Sequence, residues 1–372
     1  MMTAEEMAAE ARALTPIPAK AAAEYAARQD DLVSFVNRRL GEDSVARRLI
    51  GAAPLRVMHD NHRNHVAFMS TVFRLNHFEL LAETVPWVYR SYHARGFSYD
   101  YFPTALRTWI EAVGLALSPA NTPEIGAAYA WLIERHEAFV ALSERPAVAS
   151  AAASGGWEDR RRRFLAALLA ADQRLCLRIA DDAVDTVADL ESLYLDVMQP
   201  SMYEIGDLWE RGAISVAEEH LATAIVSRVM ASLYPRFLSA EPSKGRAVVT
   251  SAPNEYHEIG GRMVADLLEV DGWDVAYLGA NTPDDELLTL LRKTRPRILG
   301  LSVALSSNLE GARRTIELVR ADESLAEVKV LVGGRAFLPD PSLSRRVGAD
   351  GFAPDARVST RTAREWWSES GD

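Results

Sequence analysis

The amino-acid sequence predicts a mixed fold, in which an all-α region of about 240 residues precedes a doubly wound parallel sheet over 241–372. Apolar residues recur three and four positions apart through the first region, which is the period of an amphipathic helix. After Ser243, short apolar runs alternate with amphipathic stretches, which is typical of β–α units. A chain of 372 residues is long enough for two or three domains, each with its own core.

Residues 1–145 are predicted to form an all-α domain that is rich in histidine and aromatic residues. Helical periodicity runs through DLVSFVNRRL and through the long segment from His65 to Phe97. Six of the eight histidines fall in this region: His59, His62, His65, His77, His93 and His136. Two interpretations stay open, namely a helix face of neutral polar groups over an aromatic core, or a pocket for a chromophore.

The stretch 146–157 is predicted to be a linker, because its residues are small and weakly amphipathic and it contains Gly155-Gly156. The helical period returns in residues 158–240 and predicts a bundle of about four helices, broken at Pro200 and Gly212.

Residues 241–372 contain five strand candidates, RAVVTSAP, DVAYLGA, ILGLSVA, KVLVGG and DGFAPD. Ligands of doubly wound sheets bind outside the carboxyl ends of the strands. The residues that end or follow these strands are therefore the first candidates for a binding site.

His257 follows the first strand candidate and is the best candidate for a metal ligand. Glu255, two residues earlier, can accept a hydrogen bond from one imidazole nitrogen, which fixes the tautomer as carboxylates do behind metal-bound histidines. Gly260 leaves room at the start of the following helix. A single histidine in a loop is more often only solvated, so further elements are needed to support a site.

Two such elements stand at the predicted rim, since Ser302 ends the third strand candidate and Gly333-Gly334 ends the fourth. Together with Glu-x-His-x-x-Gly at 255–260, they resemble the cobalamin-binding domain pattern of methionine synthases, corrinoid proteins and cobalamin photoreceptors. The resemblance implies that His257 is the lower ligand of cobalt. It also implies that the nucleotide tail of the cofactor passes beside Ser302, and that Gly333 and Gly334 give this tail room. Ala304 departs from the Leu that is usual two residues after the Ser.

The bundle carries a second resemblance. Trp209 is followed, after nine residues, by Glu219-His220, and this spacing resembles the helical cap of the light-sensing cobalamin regulators. It implies that Trp209 packs over the upper face of the corrin and that Glu219 and His220 line the space for an adenosyl group. In those regulators a His follows the Trp directly, whereas this chain has Glu210. A bis-histidine photoproduct would then need another residue, such as His220, or would not form.

The N-terminal region, with the segment Y-x-x-R-G-F-S-x-D-Y-F from Tyr92 to Phe102, resembles a sensory globin-like domain. Such a domain before a cobalamin photoreceptor module is similar to the photocobilins, which hold biliverdin beside cobalamin. No cysteine lies in residues 1–175, so biliverdin would be held without a covalent bond. Arginines are available for its propionates, among them Arg63, Arg74, Arg90 and Arg95. The same histidines could hold haem instead, or the domain could bind no pigment.

Charge and composition exclude several classes of function. A net charge of −11 offers no basic surface for nucleic acid, and nothing resembles the helix-turn-helix of the regulators. Cys176 is the only cysteine, which excludes an internal disulfide and an all-cysteine metal site. The chain has no signal-like start and no apolar run of roughly 18 residues, so we expect a cytoplasmic protein that does not enter a membrane.

The leading hypothesis is a light sensor that binds adenosylcobalamin, and biliverdin if the globin-like resemblance holds. It would signal by light-driven cleavage of the Co–C bond and a change in the quaternary structure of a homo-oligomer, with a separate signalling protein downstream. The alternative is a corrinoid methyl-carrier protein of a methyltransferase system, whose upper face must open to partners. An interaction protein with a decayed site is a third option, which Ser302 and Gly333-Gly334 argue against. No nucleophile–base pair is visible, so we expect no enzymatic turnover of its own.

Overall fold

The computed structural model describes residues 2–145, 156–237 and 241–369. The chain divides into two compact units, one formed by 1–147 with 210–212 and the other by 148–209 with 213–372. Of the predicted linker, residues 146–155 lie outside the described residues, and Trp157 already begins a helix. In the described ranges, every helix is too short or too polar to cross a lipid bilayer.

The first unit is all-α over its described residues, as the periodicity predicts. Its α-helices are α1 Ala4–Arg12, α2 Ala19–Ala27, α3 Gln29–Glu42, α4 Ser44–Leu49, α5 Leu55–Leu75, α6 Glu79–His93, α7 Tyr101–Ala116, α8 Pro123–Glu134 and α9 His136–Ser143. Thr3 and Glu6 form a capping box at the start of α1. Asn76 ends α5 in the left-handed conformation, and its Oδ1 accepts a hydrogen bond from the backbone N–H of Ile17 at 2.7 Å. Local capping thus sets where these helices begin and end.

The helical bundle of the second unit confirms the prediction of about four helices. Its segments are α10 Trp157–Leu169, α11 Gln173–Asp181, α12 Val187–Ser192, a π-helical turn Leu193–Met198, α13 Gln199–Glu210 and α14 Val216–Leu233. The predicted break at Pro200 is wrong, because the helix continues from α12 through the π-helical turn into α13. Pro200 has no N–H to donate to the carbonyl four residues earlier, which would normally interrupt an α-helix. Here the wider π-helical turn lies immediately before Pro200, and the helix continues past it. Gly212, with φ +70°, does separate α13 from α14.

The sheet contains all five predicted strands: β1 Arg246–Ser251, β2 Asp274–Tyr277, β3 Ile298–Ser302, β4 Lys329–Gly333 and β5 Gly351–Ala353. Their order is β2-β1-β3-β4-β5 and every neighbouring pair is parallel. The accompanying α-helices are α15 Ile259–Val270, α16 Asp284–Thr294, α17 Leu309–Ala321, α18 Leu343–Arg346 and α19 Ala356–Glu369. The strand order reverses at β1 and β3, which is the switch point where such sheets bind ligands.

The bundle and helix α15 share one hydrophobic core. Met263 and Leu267 of α15 belong to the same buried cluster as Tyr194 and Val197 of the π-helical turn. The Tyr194 hydroxyl also donates to Asp266 Oδ2 at 2.8 Å. Because α15 follows directly from the loop that carries His257, this packing places the bundle next to the carboxyl rim of the sheet.

Candidate cofactor site

The three strand ends that the sequence identified lie side by side. Ser251 of β1 is paired with Ser302 of β3, and Ser302 is paired with Gly333 of β4. Backbone bonding continues one residue further, since Ala252 N–H donates to Ser302 O at 3.0 Å and Val303 N–H donates to Gly333 O at 2.9 Å. The predicted elements therefore share one rim.

Glu255 organises this rim from a fully buried position. Its Oε1 accepts hydrogen bonds from the backbone N–H of His257 at 3.1 Å and from His257 Nδ1 at 2.5 Å. Its Oε2 accepts from the backbone N–H groups of Ala304 at 2.8 Å and Leu305 at 2.9 Å, and from Asn308 Nδ2 at 3.0 Å. One carboxylate thus ties the loop after β1 to the loop after β3.

These hydrogen bonds keep Glu255 ionised. Burial alone would raise the pKa of its carboxyl, but the hydrogen bond and charge of His257 oppose it, together with the donors of Leu305 and Asn308. The net effect lowers the pKa of Glu255 to about 2. The carboxylate is therefore an anion at neutral pH and holds the imidazole through Nδ1–H.

His257 presents its other ring nitrogen to the outside of the rim. Its side chain is 57% exposed, and within residues 2–145, 156–237 and 241–369 its Nε2 makes no hydrogen bond. The hydrogen bond with Glu255 raises the pKa of His257, and the negative charges of Glu255 and Glu219 raise it further. Burial and the positive charge of Arg335 act in the opposite direction and lower this pKa. With the proton on Nδ1, the Nε2 lone pair is available to a metal.

The surroundings of His257 fit an axial ligand to a metal held by a macrocycle. In the part of the chain that the structure describes, no three His, Cys, Asp or Glu side chains are placed to hold an ion together. Protein sites for a bare transition metal use three or four such ligands, whereas a metal in a tetrapyrrole takes only axial ligands from the protein. A single supported imidazole at the rim matches the second case, which is the position that the sequence predicts for cobalt.

The glycines of the site have different surroundings. A Cβ at Gly260 would meet no atom within 4 Å, so the start of α15 borders open volume. A Cβ at Gly333 would lie 2.8 Å from Ala353 O, and one at Gly334, where φ is +103°, would lie 2.2 Å from Val303 O. The backbone of the protein therefore requires Gly333 and Gly334 whether or not a cofactor tail passes them. Only Gly260 has free space that a ligand could use.

The predicted cap residues lie on α13 and near the start of α14. Trp209 is half-buried near the end of α13. The Glu219 carboxylate lies 2.7 Å from His220 Nδ1 and accepts a hydrogen bond from Thr223 Oγ1 at 3.1 Å. Its charge acts on His257, so the structure brings this part of the bundle close to the rim. His220 is 74% exposed.

Sequence reasoning missed two residues of this site. Asn308 lies beyond β3 and anchors Glu255, as described above, and it also donates to Asn254 O at 3.3 Å. Arg335 follows Gly334 directly and contacts the bundle, 5.4 Å from the ring centre of Tyr203. Each of the two is a polar residue that follows a rim element, Ser302 or Gly333-Gly334, and this position was the only signal in the sequence. The residues that they contact are distant in sequence, so the signal did not reveal their role.

Two histidines of the first unit, His62 and His65, already make hydrogen bonds inside its aromatic core. His62 Nδ1 lies 2.6 Å from Asn37 Oδ1, and its Nε2 lies 2.7 Å from the Tyr101 hydroxyl. His65 Nε2 lies 3.2 Å from the Tyr129 hydroxyl. Burial lowers the pKa of both imidazoles to about 3, and for His62 the charges of neighbouring histidines add to the effect. This supports the interpretation of neutral polar groups within an aromatic core, and haem ligation by either residue would break these hydrogen bonds.

The four arginines considered for propionates all have partners within the structure. Arg63 pairs with Asp60, and Arg95 donates to the Ser91 carbonyl. Arg90 Nε donates to Glu210 Oε1 at 2.6 Å, and both residues belong to the first unit. Glu210, which stands where the light-sensing regulators have a His, is thus buried and ion-paired. A bilin in this unit would have to compete for these cations.

Models of known families match two parts of the chain. Residues 245–360 match a B12 binding domain, and residues 160–234 match a second B12 binding domain model. The first match covers the sheet with Glu255, His257, Ser302 and the two glycines, and the second covers most of the bundle with Trp209.

Curated relatives match about half of the chain. The chain is 25% identical over 169 residues to dimethylamine corrinoid protein 3 of Methanosarcina acetivorans, which is 45% of this chain and 78% of that protein. It is 31% identical over 192 residues to the HTH-type transcriptional repressor CarH of Myxococcus xanthus, which is 50% of this chain and 62% of that protein. The match to CarH thus spans less than two thirds of its length.

The fold agrees with a solved corrinoid protein. The monomethylamine corrinoid protein of Methanosarcina barkeri superposes with a TM-score of 0.50 at 19% identity, over 56% of this chain and 98% of that one. This likeness confirms the predicted sheet with its helical cap. Residues 160–234 and 245–360 of this chain thus match two B12 binding domain models, and the chain shares the fold of a solved corrinoid protein.

Proposed function

We propose that the protein is a light sensor that uses adenosylcobalamin and signals through a change in its own assembly. The observation that carries the proposal is the exposed His257 Nε2, held by a buried carboxylate at the rim beneath the bundle. The spacing of Trp209 and Glu219-His220 on that bundle supports the light-sensing form of the function.

Each residue of the rim has a separate task in this proposal. His257 would hold cobalt from below, and Glu255 keeps the proton on Nδ1 and the lone pair on Nε2. The open volume at Gly260 and the half-buried Ser302 would receive the nucleotide tail. When bound, adenosylcobalamin would supply a chromophore and a cobalt–carbon bond that light can break.

The bundle residues would respond to the upper ligand. Trp209, Glu219 and His220 would shelter an adenosyl group, and its loss would leave space that lets α13 and α14 move. Because α15 shares a core with the bundle, such a movement would reach the surface of the second unit. A change in homo-oligomeric state is the expected output, read by a separate signalling protein, without enzymatic turnover by this chain.

A methyl-carrier role is the second candidate, and the corrinoid relatives favour it. A carrier must expose its upper face to methyltransferases, whereas an adenosyl group needs the shelter of a cap. Methyl transfer from bound methylcobalamin to a thiol or folate acceptor, faster than from the free cofactor, would support the carrier role and contradict the sensor.

Reconstitution with adenosylcobalamin in darkness tests the sensor. We expect retention after gel filtration and a spectrum with histidine as lower ligand, and His257→Ala should lose one or both. His59→Ala, in the other unit, is the matched control and should behave as wild type. Light scattering before and after green illumination should show a change in mass. Equal masses in both states across micromolar concentrations would contradict light-driven assembly.

A further inference from the structure

Arg335 occupies a fixed position at the rim of the sheet. It opens a short 3₁₀ turn after Gly334, and Ala336 N–H within this turn donates to Val303 O at 3.2 Å. Phe337, which closes the turn, is fully buried. The backbone of Arg335 is therefore held on both sides, while its side chain is 54% exposed.

The Arg335 side chain reaches two residues on the bundle. Its guanidinium lies 5.4 Å from the ring centre of Tyr203, and its Nη2 lies 3.6 Å from Asp207 Oδ1. Tyr203 and Asp207 are four residues apart and so lie on one face of α13. The Tyr203 hydroxyl is itself anchored by Gln199 Nε2 at 2.8 Å. This one side chain thus joins the strand-end loop to the helix that carries Trp209.

We propose that Arg335 is a positioning residue that holds α13, and with it Trp209, over the carboxyl rim of the sheet. The proposal rests on the proposed function, because in that function Arg335 would determine how easily the cap opens above the cofactor. A cation over an aromatic ring and a long, half-exposed ion pair are each weak. Because these contacts are weak, they can hold the cap in place and still break at a small cost in free energy when the cap opens.

Hydrogen exchange of the cofactor-free protein tests the contact itself. Arg335→Met removes the charge and keeps most of the side-chain length, and Asp207→Asn removes the partner. We expect the amides of α13 to exchange about three to ten times faster in both variants, with the strands β1 and β3 unchanged. Arg345→Met, an exposed arginine on α18 of the same sheet, is the control and should exchange as wild type. Unchanged exchange in α13 of Arg335→Met would overturn the proposal.

Cofactor release tests the consequence for the site. We expect adenosylcobalamin to leave Arg335→Met about three to ten times faster in darkness, with the unfolding midpoint in urea and the lower-ligand spectrum unchanged. In the double variant Arg335→Met/Asp207→Asn, the increases in release rate caused by the two substitutions should not multiply, because both substitutions remove the same contact. Release at the wild-type rate, or effects that multiply fully, would overturn the positioning role. If the wild type retained no cobalamin, the proposed function would fail, and exchange in α13 would still decide whether Arg335 holds the helix.

Discussion

Glu255 Oε2 accepts a hydrogen bond from the backbone N–H of Ala304 at 2.8 Å. Position 304 therefore contributes to the site through its main chain, and this hydrogen bond does not depend on which side chain stands there. The same carboxylate holds Leu305 and Asn308, so the loop after β3 is shaped by a residue from the loop after β1. The support of His257 thus comes from two segments about fifty residues apart in sequence.

Replacement of Glu255 should separate folding from metal binding. Glu255→Ala leaves several buried donors without an acceptor, and we expect a loss of about 2–4 kcal/mol in the free energy of unfolding. Glu255→Gln can still accept from the loop after β3, but its amide N–H₂ then faces His257. The imidazole would turn Nδ1 into an acceptor and carry its proton on Nε2, which blocks the metal position. We expect Glu255→Gln to fold and to bind cobalamin about 10–100 times more weakly.

Urea unfolding and cofactor titration together measure these two effects. Glu327→Gln, at an exposed position just before the start of β4, provides a control in which both quantities should stay near the wild-type values. Wild-type affinity in Glu255→Gln would contradict the role assigned to the carboxylate.

The glycines of the rim should respond in opposite ways to alanine. Gly334→Ala places a Cβ 2.2 Å from Val303 O at a φ of +103°, so we expect a loss of about 2–4 kcal/mol of stability even without cofactor. Gly260→Ala meets no atom within 4 Å and should leave the stability unchanged or raise it by up to about 1 kcal/mol. If the cofactor tail uses that volume, Gly260→Ala should bind cobalamin more weakly. A Gly260→Ala protein that is stable and binds as wild type would move the tail elsewhere.

Asp266 should make the second unit less stable as the pH rises from about 4 to 6. Burial raises the pKa of this carboxyl to about 6; the Tyr194 hydrogen bond and Arg262 oppose this, and Glu269 adds to it. The folded state therefore holds the proton more tightly than the unfolded state. The resulting stabilisation is fully present below the pKa of the unfolded state, and it is lost as the pH rises through the pKa of the folded state. A shift of roughly two pKa units corresponds to about 3 kcal/mol.

Asp266→Asn tests this pH dependence, because the amide oxygen can still accept from Tyr194 but cannot ionise. The free energy of unfolding of the wild type minus that of the variant should fall by up to about 3 kcal/mol between pH 4 and pH 7. The other titrating groups cancel in that difference. A difference that is flat with pH would show that the carboxyl has an ordinary pKa.

Any bilin that the first unit holds after co-expression with a haem oxygenase should leave the protein without covalent attachment. The physical reason is the lack of cysteine in residues 1–175, which leaves packing and arginine contacts to hold the pigment. Acid denaturation and organic extraction provide the measurement, and a red-absorbing pigment should pass into the solvent. Pigment that stays with the polypeptide, or a Soret-dominated spectrum, would contradict this prediction. Absence of any pigment would leave the buried histidines with a structural role alone.

The sequence by itself determined the elements of the fold and the positions of the rim. Strand ends and helical periods are local properties of the chain, so the five strands, the bundle and the placement of His257, Ser302 and Gly333 could be predicted from spacing. The exception was Pro200, where a π-helical turn keeps a helix continuous that the local rule would break.

Only the tertiary structure decided which groups act on His257. Asn308 and Arg335 are polar residues without a motif, and their partners, Glu255 and Tyr203, lie far away in sequence. The structure also gave Gly333 and Gly334 a reason that spacing could not reveal, since the carbonyl oxygens of neighbouring strands occupy the space of a side chain. Contacts of this kind depend on how segments that are distant in sequence pack against each other. A local pattern of residues does not give the distance between such segments.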